Sequence, residues 1–121
     1  MAKTADEVKK EVKTIKKKIE DRYGIETDVF CDKDIEIYVN QMDIADGLLQ
    51  KLRQDGYTVE KTYSGGKSNT YSHPSIADYN KTADSSHKTV NAIRKFIKEH
   101  ADVNDNGEDD LMKLLDSDDN E

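Results

Sequence analysis

Apolar positions recur along this chain at helical spacing in three runs, and polar stretches separate the runs. Val8, Val12, Ile15 and Ile19 follow one another at steps of four, three and four, which makes one narrow stripe. Thr4 stands three residues before Glu7, the arrangement in which hydroxyl and carboxylate satisfy the free amides of a helix start. Gly24 closes the run as the residue that tolerates a left-handed cap. A first helix is predicted between them, with a seam so narrow that the helix must lie on something else.

Ile25 to Cys31 read as a connector with some strand tendency at Val29-Phe30. Asp32 or Asp34 is then expected to cap a second helix. Ile35, Tyr38, Met42, Ala45, Leu49 and Leu52 continue it on a three-four spacing, a heptad seam that Val39, Ile44 and Leu48 widen in places. Gly47 sits inside this run at a cost of up to ~1 kcal/mol relative to Ala, which close approach of a neighbouring helix would explain. Gly56 supplies the stop. A third run, Ile76, Tyr79, Ala83, Ser86, Val90, Ile93 and Ile97, starts after His73-Pro74 and reaches about His100.

The stretch between the second and third runs has no helical period. Thr58–Tyr63 and Ser68–Ser72 flank Ser64-Gly65-Gly66-Lys67, and a Gly-Gly pair permits the positive φ angles of a tight hairpin turn. The expected fold is therefore mainly α, three helices with a β-hairpin between the second and third. Such a polar ribbon buries little, and an isolated hairpin is marginal. Its expected stabiliser is the same hairpin on a neighbouring subunit, with Tyr63 and Tyr71 as oligomerisation residues. The chain divides into a basic helix at 1–24, a helix–hairpin–helix oligomerisation core at 25–101 and an acidic tail at 102–121. The tail is expected to be disordered, apart from a short docking segment formed by Leu111, Leu114 and Leu115.

Composition sharpens this picture. Apolar residues are 34% of the chain and charged residues 37%, against a usual ~25% charged, so one chain can build only a thin core. Assembly with copies of itself is the expected remedy. The net charge of −7 is unevenly spread. Residues 1–23 carry eight Lys/Arg against five Asp/Glu, and residues 102–121 carry Lys113 alone against nine acids. Lys9, Lys10, Lys13, Lys16, Lys17 and Arg22 on the first helix are candidate phosphate contacts, and Tyr63 and Tyr71 could stack bases.

Candidate chemistry is sparse. Ser64-Gly-Gly-Lys-Ser68 resembles a phosphate loop, but position 61, where the pattern needs Gly, is Lys61. Asp102 to Gly107 opens like a calcium loop, yet position twelve is Lys113 rather than Glu. His73, His87 and His100 do not stand at metal-ligand spacing with each other or with Cys31. No enzyme activity, cofactor or metal is expected. A single cysteine excludes an intrachain disulfide and fits a reducing compartment, and no run approaches the ~18 apolar residues of a membrane span.

In order and spacing, the pieces Ile35–Val39, Leu49–Gly56, Ser64–Lys67, His73–Ile76 and Leu111–Leu115 resemble the small subunits of tailed-phage terminases, in the short-chain group with a His-Pro helix start after a Gly-rich hairpin. The resemblance implies a non-enzymatic, ring-forming DNA-recognition subunit in the host cytoplasm. Its partners would be double-stranded viral DNA, copies of itself and the large terminase subunit. The last would dock on Leu111, Leu114 and Leu115. The rival reading is an acidic protein-binding adaptor or inhibitor of phage or mobile-element origin that never touches DNA, and a purely structural helical oligomer is a further one.

Overall fold

The computed structural model describes residues 2–62, 68–101 and 107–116. Helix α1 spans Ala5–Tyr23. The Glu7 amide donates to Thr4 Oγ1 at 3.2 Å and the Thr4 amide donates to Glu7 Oε1 at 3.1 Å, so two orphan donors are satisfied reciprocally. These bonds hold the Glu7 carboxyl below its usual range, the Thr4 amide contributing most. Gly24 ends the helix with φ 66°, a conformation costly for any residue with a Cβ.

Helix α2 spans Val29–Asp55, and its cap corrects the expected start. Asp28, rather than Asp32 or Asp34, accepts the Cys31 amide at 2.8 Å. Val29, Phe30 and Cys31 therefore form the first helical turn, and the capping bond overrides their strand preference. Gly56, at φ 81°, closes the helix.

Beyond it, Thr58–Thr62 (β1) pairs antiparallel with Ser68–Ser72 (β2), from Thr58 opposite Ser72 to Thr62 opposite Ser68. No third strand joins this ribbon among the described residues. Helix α3 then runs Pro74–His100, with Pro in the first turn where its missing amide donor is harmless.

Two contacts fix how α2 and α3 lie. Asp55 at the end of α2 meets His73 at the start of α3, and Gln41 accepts the Thr89 hydroxyl at 2.8 Å. The two helices are antiparallel and pack along most of their length. Ile35, Val39 and Ile93 are fully buried, and Ile15 and Ile19 of α1 join the same cluster. The backbone amide of Lys3 donates to Asp43, and the Lys3 ammonium pairs with Glu11, so the start of α1 is tied to α2.

Two expectations are overturned here. The architecture is not three helices arranged about a hairpin, because four helices build the fold. The acidic tail is not simply disordered: Gly107–Asp116 form helix α4, which packs on α1. Leu111 is 1% exposed and sits in the same core as Ile15 and Ile19. Within the chain, the narrow seams bury their stripes against one another. The physical reason is that α1 presents apolar positions to both α2 and α4, so three thin stripes and four tail residues share one core.

Candidate nucleic-acid and partner surfaces

At about 100° per residue, Lys10, Lys13 and Lys17 lie opposite the seam of α1 and Lys9 stands on its flank. All four are exposed. The other two candidates are placed differently. Lys16 lies at the edge of the seam, and its ammonium donates to Asp32 Oδ2 at 2.9 Å. Asp32 also accepts the Thr27 hydroxyl, so the carboxylate knits the α1–α2 turn. The hydrogen bond to Asp32 raises the Lys16 pKa above its ordinary value, against a smaller opposing effect of desolvation. Arg22 follows Lys13 by nine residues, two and a half turns, and so stands on the other side of the helix. Its guanidinium lies 5.9 Å from the centre of the Tyr23 ring. The contiguous basic face is therefore Lys9, Lys10, Lys13 and Lys17. Lys9 and Lys13 also border a groove of about 470 Å3 between α1 and α2, with Val8 and Val12 in its lining.

The three tail leucines are brought together, but inward. Leu114 and Leu115 are half-buried against the cluster that holds Leu111. The leucines expected to dock on a partner are thus placed toward the core of their own chain. Tyr63 and the Ser64–Lys67 turn lie outside the described residues, as does most of the calcium-like stretch from Asp102. Tyr71 is placed in β2 by its backbone, opposite Val59.

Cys31 is 1% exposed, and burial pushes its thiol up to about 12, with Asp32 and Asp28 adding to the shift. A thiol so held supplies no thiolate for nucleophilic chemistry. Among the described residues, no cluster of His, Cys, Asp and Glu could hold a metal ion. Among them, too, no helix is long and apolar enough to cross a membrane.

Two further surfaces lie outside the helical seams. Phe30, Ile37 and Ile44 follow each other at seven-residue steps on the outer side of α2, and all three are exposed. Their spacing was a readable signal, hidden because Ile44 passes for a seam residue. The second is a groove of about 400 Å3 between α2 and α3, closed at one side by Met112 of α4. Only the tertiary packing creates it. Gly47 is open: a Cβ built there meets nothing within 4 Å, so no neighbouring helix of the same chain accounts for it.

Comparison of the chain with family models, with curated proteins and with solved structures gives no match.

Proposed function

We propose that this chain is a non-catalytic, self-assembling DNA-binding subunit of the small terminase type, acting in viral genome packaging beside a large terminase subunit. The observation that carries the DNA-binding part is the face of α1. Lys9, Lys10, Lys13 and Lys17 stand exposed on one side of a helix whose other side is locked into the core. Phosphates would be met by a preformed row of charges on a rigid element, so ordering costs little backbone entropy. The packaging role rests on the resemblance of the chain's order and spacing to that family. The large-subunit contact is assigned to no residue, because the tail leucines are engaged within the chain.

The test is the salt dependence of duplex DNA binding. Each neutralised phosphate contributes about −0.9 to the slope of log affinity against log salt. Replacing Lys9, Lys10, Lys13 and Lys17 by Gln should flatten that slope by about 3–4 while the helical circular dichroism is kept. An unchanged slope removes the α1 face from DNA binding.

A second reading keeps one specific observation in its favour. The net charge of −7, with nine acids against one Lys in residues 102–121, opposes DNA binding by the chain as a whole. An acidic adaptor that binds only protein would show no salt-dependent DNA binding at all.

A further inference from the structure

Helix α2 is apolar on two sides. Its seam faces the core, whereas Phe30, Ile37 and Ile44 are 77%, 39% and 55% exposed on the outer side. Val29, 72% exposed, stands beside Phe30. Seven-residue steps keep these positions within about 20° of one line per step, so they form a stripe about 21 Å long. Exposed apolar residues scattered singly need no explanation, but an aligned row does.

The same chain offers a surface of matching character. The groove between α2 and α3 is lined by Tyr38, Met42 and Ala45 on α2, Tyr79 and Ala83 on α3, and Met112 on α4. Along α3 its lining extends from Tyr79 to Arg94, about 22 Å, close to the length of the stripe. Arg94 adds a positive charge to its wall. Arg94 donates through Nη1 to Asn91 at 2.8 Å, while its buried Nε has no hydrogen-bond partner among the described residues.

Charge agrees with shape. Helix α2 carries six acidic residues against three basic ones, and α3 carries five basic against three acidic. An α2 helix entering the groove of another copy would be attracted by its α3 wall, while the α2 wall of the same groove carries a like charge. Gly47 lies on the open part of α2 between the stripe and the α1 side, with no contact in its own chain, and would let a neighbouring backbone come close.

We propose that the outer stripe of α2 is the self-assembly surface, and that it seats in the α2–α3 groove of a second copy of this chain. The inference rests on the reading of the protein as a self-assembling subunit, and it names the contact that reading leaves open. Stripe and groove are different surfaces, so the contact is heterologous: every copy offers one donor and one acceptor, and a chain of contacts closes into a ring if the rotation allows. Burial of the apolar stripe supplies the driving force, and the charge difference between α2 and α3 sets the direction.

The experiment measures mass by light scattering on the full chain. Wild type should form a multi-chain species. The double variant Ile37→Asp with Ile44→Asp removes the donor and should run at the mass of one chain. Ala83→Trp fills the groove, removes the acceptor and should do the same. His87→Glu, at an exposed position on the groove wall, replaces it should the tryptophan variant lose its helical circular dichroism. An equimolar mixture of donor and acceptor variants retains one intact contact, so it should yield a species of two chains and nothing larger. Wild-type mass in the stripe variant overturns this contact while leaving self-assembly standing. A mixture that stays at one chain, or that rebuilds the wild-type species, overturns the heterologous pairing. A wild type that remains a single chain overturns the self-assembling reading and this contact with it.

Discussion

The ring of His73 is held at both nitrogens, and Asp55 takes one of them. Nε2 lies 2.9 Å from Asp55 Oδ2, and Nδ1 accepts the Ser75 amide at 3.0 Å. Because Nδ1 accepts, the ring proton sits on Nε2 and is donated to the carboxylate. One buried side chain thus caps α3 and ties its start to the end of α2, while the His73 amide donates to the Tyr57 carbonyl at 2.8 Å. The helix pair is latched at the point where the chain leaves for the ribbon.

Removing that latch should be costly for its size. His73→Ala deletes a cap and leaves Asp55 without its partner, and a loss of about 1–3 kcal/mol is expected in urea unfolding. His73→Asn can still cap, so it should recover part of the loss. Equal losses in both variants would show that the cap contributes nothing.

The Lys16–Asp32 pair predicts a pH dependence. The folded pKa of Lys16 is raised by Asp32, so the stabilisation is fully present below the unfolded Lys value of about 10.4. It is lost as pH rises through the higher folded value. Lys16→Gln should therefore lower the unfolding midpoint at pH 8, and the gap should narrow as pH rises above about 10.4. A gap that persists at the higher pH would mean the side chain acts by packing alone. Since Lys16 is already paired, its loss should also change the DNA salt slope less than Lys13→Gln does.

Leu111 should behave as a core residue. Leu111→Ala is expected to cost about 2–5 kcal/mol, in the range for truncating a buried leucine. If α4 were a free docking segment, the same change would leave the unfolding midpoint of the isolated chain where it is.

Cys31 should be silent toward thiol reagents in the native protein. With 1% exposure and a thiol pushed up to about 12, it should react with an aromatic disulfide only as fast as the chain unfolds. Adding urea through the unfolding transition should release the full stoichiometry of one thiol. Rapid reaction before that transition would contradict the burial.

The local sequence dictates where helices α1 and α3 begin and where α1 and α2 end. Thr4 with Glu7, Pro74, Gly24 and Gly56 act through bonds or backbone conformations reached within one turn, so no distant residue can overrule them. It also determined the basic face of α1, because helical geometry alone places Lys9, Lys10, Lys13 and Lys17 away from the seam. Which apolar positions are used, and by which element, follows from how the helices pack. Val39 and Ile44 looked alike as widenings of one seam, yet the first is buried in the core and the second is 55% exposed. Leu111 looked like a partner's anchor, yet α1 takes it. Asp32 looked like a cap, yet Asp28 was one turn nearer and left Asp32 free to hold Lys16. Period and spacing state that a surface must be buried. They do not carry the long-range contact that buries it, because that contact depends on how the other helices are placed.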